Sequence, residues 1–367
     1  MKVTYRLHEL TTGKPVSIPV HAPGRWSDSL SQGGSGKHEV TIPIASRFTP
    51  SQWHAATMPW WHVLVECWDG VPAYAGIIID KHWSPRRQVL SIDTRTVGTL
   101  LQDRYPFGVG SYLTTTFGVS GLSLRAVVLA TVQRVFTDPT TPTYQSWAAP
   151  FDYPHLGEAG GFSKDYPNED WRTADQIISF IQKLEGGPDL AFIPKYVENG
   201  WLRWDVLAGD PRIPGPTVDL PLSARASAAS DLLMHEYGKD MISGLFVRGE
   251  GYDDRRPVGE AGNVPGPFMA VRDSASSQVA EDTGLSSQAT ASLAKNRSPI
   301  DQIEIGALRL GSGPGAVSPA SARLGARLNG RYGGDGYREA FRTTLYLTSL
   351  SHSSDRPDYV SPEVVAI

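Results

Sequence analysis

Apolar and polar positions alternate most clearly between His62 and Pro106, and this stretch organises the reading of the whole chain. His62 to Trp68 predicts a first strand. Asp69-Gly70 follows, a pair that turns hairpins because glycine accepts positive φ without steric cost. Ala73 to Ile79 predicts a second strand, Ser84-Pro85-Arg86-Arg87 a turn, and Gln88 to Ile92 a third strand. Asp93-Thr94 then caps a predicted helix whose apolar positions Val97, Leu100 and Leu101 fall at spacings of three and four. An antiparallel meander closed by a short helix is the outcome, a scaffold with no catalytic constellation in it.

The same periodicities run through the rest of the chain. Val3 to Leu10 alternates, Thr12-Gly13-Lys14-Pro15 turns, and Val16 to Val20 returns as an opening hairpin. Residues 23–36, rich in Gly and Ser, predict a flexible loop, and His38 to Ile44 another strand. Thr49-Pro50-Ser51-Gln52 starts a short helix leading through Trp53, Ala56, Trp60 and Trp61. Leu122 to Phe136 carries the strongest helical signal, and Thr173 opens a second amphipathic helix stopped by Gly186-Gly187-Pro188. Leu190 to Pro194 and Trp201 to Leu207 predict a hairpin around Glu198-Asn199-Gly200. Past a Pro-rich linker, residues 223–237 read as partly helical or irregular. Strands are predicted at Met241 to Gly249, Ile303 to Leu310, Ala322 to Leu328 and Phe341 to Ser351, with helical signals at Ser286 to Lys295 inside a polar excursion. Pro357 and Pro362 predict an extended tail.

These elements define a mainly β protein with an α insert (α+β). Residues 1–100 form a first β-barrel domain completed by 188–210, and 101–187 a helical insert or lid domain. Residues 211–352 form a second β-barrel domain with a loop-rich insert at 250–302, and 353–367 a C-terminal arm. The chain of 367 residues is long enough for two or three domains that each bury a core. Its 37 Gly and 28 Pro suit a turn-rich β protein. With 34 Lys plus Arg against 38 Asp plus Glu, the net charge of −4 lends no support to a nucleic-acid-binding surface. A single cysteine, Cys67, excludes an internal disulfide and a Cys-based zinc site, and alternation makes it a small buried hydrophobe. The amino terminus lacks the apolar core of a signal peptide, and no apolar run approaches bilayer length, so synthesis and folding in a reducing cytoplasm are expected.

Candidate chemistry dissolves on inspection. The GGSGK of residues 33–37 resembles part of a phosphate-binding loop, but the full pattern needs Gly and Ser or Thr where Ser31 and His38 stand. Trp53, Trp60, Trp61, Trp68 and Trp83 could stack on sugars, although tryptophans serve cores and subunit interfaces more often. His54, His62 and His82 lack the paired i, i+4 spacing of a helical metal site. Glu66, Asp69, Asp80, Asp165, Glu169 and Asp170 are the candidates for a two-carboxylate glycosidase, with Asp69 explained by its turn and 165–170 by a solvated loop. Gly-x-Ser-x-Gly is absent, and His235-Glu236 lacks a second His at Lys239. No catalytic, cofactor-binding or metal residue is therefore expected, and no cofactor.

Four segments carry a family resemblance: WDGVPAYAGIIID at 68–80, VLSIDTRTVGTLLQDR at 89–104, LEGGPDLAFIPKYVENGWLRWDV at 184–206 and FRTTLYLTSLSHS at 341–353. With the order barrel, helical insert, return hairpin, linker and second barrel, the chain resembles the tail-hub and minor tail proteins of tailed bacteriophages, related to the central hub of contractile baseplates. The resemblance implies a structural virion protein at the tail tip and a homotrimer whose six barrels ring the tail axis. Its implied partners are a distal tail protein, the tail tube or tape measure protein above, and threefold tip or fibre proteins below. Genome DNA would pass through the channel without specific binding, and mild acidity agrees with a lumen that repels phosphate. The loose 250–302 excursion and the absence of an appended lysozyme-like or peptidase domain depart from the family pattern, which argues against cell-wall degradation. The competing readings are a carbohydrate-binding host-adsorption module and a glycoside hydrolase of the tail tip.

Overall fold

The computed structural model describes residues 1–31, 33–107, 116–136, 149–237, 241–249, 257–262, 270–275, 282–296 and 300–367. Its first part comprises β1 (Val3–Glu9), β2 (Gly24–Ser29), β3 (Ser35–Thr41), α1 (Pro50–Ala56), β4 (His62–Trp68), β5 (Val71–Ser84) and β6 (Val89–Thr96). The meander forms as its pattern dictates. Asp69 and Gly70 both take positive φ, 49° and 87°, and the Asp69 carboxylate accepts the Lys2 amide at 2.7 Å. Thr49 caps α1 in a full capping box with Gln52, behind Pro50. Asp93 and Thr94 belong to β6, so the predicted helix starts later, as a 3-10 turn over Val97–Asp103.

The insert consists of β7 (Phe117–Leu122), α2 (Leu124–Phe136), β8 (Phe151–Asp152), β9 (Phe162–Tyr166) and α3 (Ala174–Gln182), before the hairpin β10 (Leu190–Tyr196) and β11 (Leu202–Ala208). One core joins Val63, Val65 and Ile77 of the meander to Val128 and Val132 of α2, Ile177 and Ile181 of α3, and Trp204 of β11. Each of these side chains buried stabilises the packing by about 1.5–3 kcal/mol. The opening turn docks on the hairpin as well, where the Leu202 amide donates to Gly13 O at 2.8 Å.

The remaining elements are β12 (Thr217–Pro221), β13 (Ala229–Tyr237), β14 (Ile242–Arg248), β15 (Val258–Ala261), β16 (Ala270–Ala275), α4 (Asp282–Asn296), β17 (Ile300–Arg309), β18 (Arg327–Tyr332), β19 (Phe341–Ser353) and β20 (Tyr359–Ala366). The strands β14, β15 and β16 make a small sheet, and Leu285 and Leu293 of α4 enter the same core as α2 and α3.

The protein is mainly β with a helical insert, yet neither predicted barrel closes among the described residues. A single twelve-stranded sheet runs β1-β4-β5-β6-β3-β2-β19-β20-β17-β13, with β18 also on β19 and β12 on β18. The thirteen-residue β19 is the branch: residues 341–346 pair with β18 and 349–353 with β2, while β20 holds the opposite edge. At the far edge of β1 the returning chain makes only isolated bridges, Tyr5 to Val20 and His8 to Pro15. Pro15 and Pro19 carry no N–H, so a continuous ladder that would close the first part cannot form there.

Three further expectations are corrected. Residues 23–36 contain β2 and lead into β3, and the polar GRWSDS pairs because β3 and β19 flank it on both sides. Residues 229–237 form the sheet-edge strand β13 rather than a helix. The predicted arm is β20, and Pro362 is tolerated there because β17 reaches only Tyr359 and Val360, leaving β20 paired on one side at the proline.

Candidate functional site

Three places gather the residues singled out from sequence. The first lies where β4 meets β19. Both faces of β4 are covered, so Glu66 is fully buried. His352 Nδ1 stands 2.8 Å from Glu66 Oε1, and the Trp68 indole donates to the same oxygen at 2.8 Å. On the far side of the ring, His352 Nε2 faces the Pro357 carbonyl at 3.2 Å. Trp26 stacks on Trp68 and on Tyr74, with centroids 5.7 and 4.9 Å apart. Burial alone would raise the Glu66 pKa, but His352 and the indoles of Trp26 and Trp68 hold it below the usual carboxylate range. Burial drives the neighbouring His38 imidazole the other way, toward neutrality. This cluster is sealed, so Glu66 offers nothing to a sugar.

The second place is an apolar groove of about 760 Å³ beside α1, lined by Ile44, Phe48, Trp53 and Trp83 together with Arg47 and Lys81, and by no carboxylate. Ile44 is 88% exposed and Trp83 47%. The Lys81 ammonium donates to His54 O and Thr57 Oγ1, both at 3.1 Å, and burial lowers its pKa. The tryptophans predicted as a cluster are therefore divided: Trp53 and Trp68 are core, while Trp60, Trp61 and Trp83 face solvent.

The third place is on β5 and β6. Asp80 stands opposite Asp93 in register, His82 Nε2 lies 3.2 Å from Asp80 Oδ2, and ligand atoms of all three fall within 4.8 Å of one another. These are the described residues that could hold a metal, although exposed acidic groups commonly gather without one. A search for i, i+4 pairs on helices misses them; the signal is Asp-x-His on one strand with an acid at the facing register position. Of the other carboxylates, Asp170 pairs with Arg172 at 3.2 Å, and Asp165 lies on β9 opposite Gly118.

The fold as a whole is similar to that of solved phage tail proteins. The prophage MuSo2 43 kDa tail protein of Shewanella oneidensis superposes with a TM-score of 0.59 at 12% identity, over 99% of this chain and 98% of its own. A tail protein of Neisseria meningitidis MC58 gives 0.56 at 13%, over 100% and 96%. The E. coli c3393 protein, described as a type VI secretion component with structural similarity to the T4 tail proteins gp27 and gp5, gives 0.51 at 11%, over 100% and 77%. No protein-family model matches the chain, and no curated protein matches its sequence. At such identities the shared property is the fold. No helix among the described residues is long and apolar enough to cross a membrane.

Proposed function

We propose that this protein is a structural tail hub of a phage or phage-like particle, without catalytic residues. It assembles as a homotrimer at the distal end of the tail. There it joins the sixfold tail tube or distal tail ring to threefold tip or fibre proteins and surrounds the DNA channel. Its functional units are the two β domains, 1–100 with 188–210 and 211–352, and the helical insert 101–187. The observation that carries this reading is the end-to-end match with two tail proteins of the same size. Solvent-facing Ile44, Trp60, Trp61 and Trp83 support it, because large exposed apolar side chains are what subunit seams cover.

The test is the mass of the purified chain by light scattering across a concentration series. A trimer, or a monomer that converts to trimer as concentration rises, is expected. A strict monomer overturns the hub. The groove at Trp83 favours a second reading, a carbohydrate-binding module for host adsorption, since an aromatic wall can stack on a sugar face. Quenching of tryptophan fluorescence by cell-wall polysaccharide, in a monomeric protein, would establish that alternative.

A further inference from the structure

On the sheet face opposite the Glu66 cluster, strand register assembles a different set of side chains. Ser35, Ser27, Ser351 and Ser361 stand opposite one another in turn across β3, β2, β19 and β20. Two residues along the same strands, Lys37 faces Arg25 and Arg25 faces Ser353. The two-residue period of a strand puts this second row on the serines' face. Between the rows, Trp26 and His352 pair with each other and turn to the buried side. With Arg356, in the turn after β19, the two rows border a groove of about 470 Å³ whose lining includes no carboxylate.

The arrangement is unfavourable for the protein alone. Like charges directly opposite on neighbouring strands repel, and Arg25 with Lys37 is such a pair. Among the described residues, none of Arg25, Lys37 and Arg356 forms an ion pair. The nearby acids have other company. Asp93, the other cross-strand neighbour of Lys37, gathers with Asp80 and His82, and Asp355 accepts the Ser353 hydroxyl at 3.1 Å. The Arg356 guanidinium lies over the Tyr359 ring, 4.6 Å from its centroid.

We propose that this groove binds a ligand carrying phosphate groups. Two guanidinium forks, one ammonium and a row of hydroxyl donors offer more hydrogen bonds than the two oxygens of one carboxylate can accept, whereas phosphate presents three or more oxygens that match the forks in pairs. A groove of this volume holds more than one such group, so the ligand is a chain of phosphates, and an internal phosphodiester, with two free oxygens per group, is the weaker fit. The inference uses strand register, charge and the groove they border, and stands whether or not the protein is a tail hub.

Titration calorimetry on the full chain tests it, with tripolyphosphate, a poly(glycerol phosphate) chain and poly-glutamate as probes. Either phosphate probe is expected to bind, the tighter one identifying the source, and poly-glutamate to bind far more weakly. Arg25→Ala should weaken binding about tenfold, as loss of a charged hydrogen-bonding partner does. In phosphate-free buffer the same variant should melt higher than the parent, because the repulsion with Lys37 is gone, and tripolyphosphate should raise the parent's Tm more than the variant's. Absence of heat and of any Tm shift with both phosphate probes overturns the proposal, as does equal binding of poly-glutamate. A change in solution mass on Arg25→Ala, with phosphate binding unaltered, also overturns it, since the cations would then hold carboxylates of another copy.

Discussion

Glu66 on β4 and His352 on β19 approach to 2.8 Å with both side chains closed to solvent. The Pro357 carbonyl can only accept, so His352 Nε2 carries a proton. Its Nδ1 faces the Glu66 carboxyl group. His352, Trp26 and Trp68 keep the Glu66 carboxyl below the usual carboxylate range despite its burial. The pair is therefore a buried histidine-carboxylate contact joining a strand of the first part to the branch strand of the second.

Removing one partner should cost more than removing both. His352→Ala leaves an uncompensated buried carboxylate, and a loss of about 3–5 kcal/mol in urea unfolding is expected. Replacing the pair by apolar residues of similar volume, Glu66→Met with His352→Phe, should recover most of that loss. The pH dependence has a fixed sign. The folded pKa of Glu66 is depressed below its unfolded value of 4.5, so its contribution is complete above that pH and is lost as pH falls through the folded value. A Glu66→Gln variant that unfolds at the same urea concentration as the parent would discard this account.

The pair also marks the limit of what the sequence makes legible. Local signals suffice for the meander, α1, α2, α3 and the β10–β11 hairpin, because periodicity, Asp69-Gly70 and the Thr49 and Thr173 capping boxes act over a few residues. The strands β2, β13 and β20 escape such reading, since polar or proline-containing segments become strands only when distant partners supply both register and burial. Glu66 reads from sequence only as one of six candidate carboxylates, and nothing near it announces that His352 will cover it. The branch at β19, which leaves one sheet where two closed barrels were expected, is a long-range pairing of the same kind.

Asp28 gives a prediction of opposite sign. This half-buried carboxyl sits beside Thr96 and Phe192, and desolvation pushes its pKa up to about 7, against which the Ser29 amide at 3.0 Å is only partial compensation. Between the unfolded value of 3.8 and about 7 the folded state holds a proton that the unfolded chain has released, so stability falls as pH rises through that window. Asp28→Asn removes the titration. The variant should melt with the parent below about pH 3.8 and increasingly above it as pH rises toward about 7, with the gain levelling off beyond. Parallel melting curves at every pH would refute this.

Gly13 tests the docking of the opening turn on β11. Its φ is +75°, and a Cβ there would lie 2.0 Å from Leu202 O, a backbone atom of a paired strand. Gly13→Ala should therefore cost about 2 kcal/mol or more, by strain and by displacement of the hairpin. Gly70 is the control: its φ is +87° but a Cβ there meets nothing within 4 Å, so Gly70→Ala should cost only the left-handed penalty of about 1–2 kcal/mol. Equal losses in urea unfolding would show that conformation alone matters and that the contact with Leu202 does not.

Trp83 and Ile44 address the assembly directly. Both line the groove beside α1, and both leave much of their apolar surface in water, so neither is part of the core that holds the subunit together. If the groove is a seam between subunits, Trp83→Ser together with Ile44→Ser should shift the solution mass from trimer toward monomer. The melting of the separated chain should stay nearly unchanged, since surface substitutions away from packed features usually alter stability by no more than about 0.5 kcal/mol. Light scattering and thermal melts on the same samples separate the two effects. An unchanged trimer would move the seam elsewhere, with Trp60 and Trp61 as the next exposed apolar pair to alter. A fall in mass accompanied by collapse of the melting transition would mean that the groove residues support the fold itself, and the seam assignment would be withdrawn.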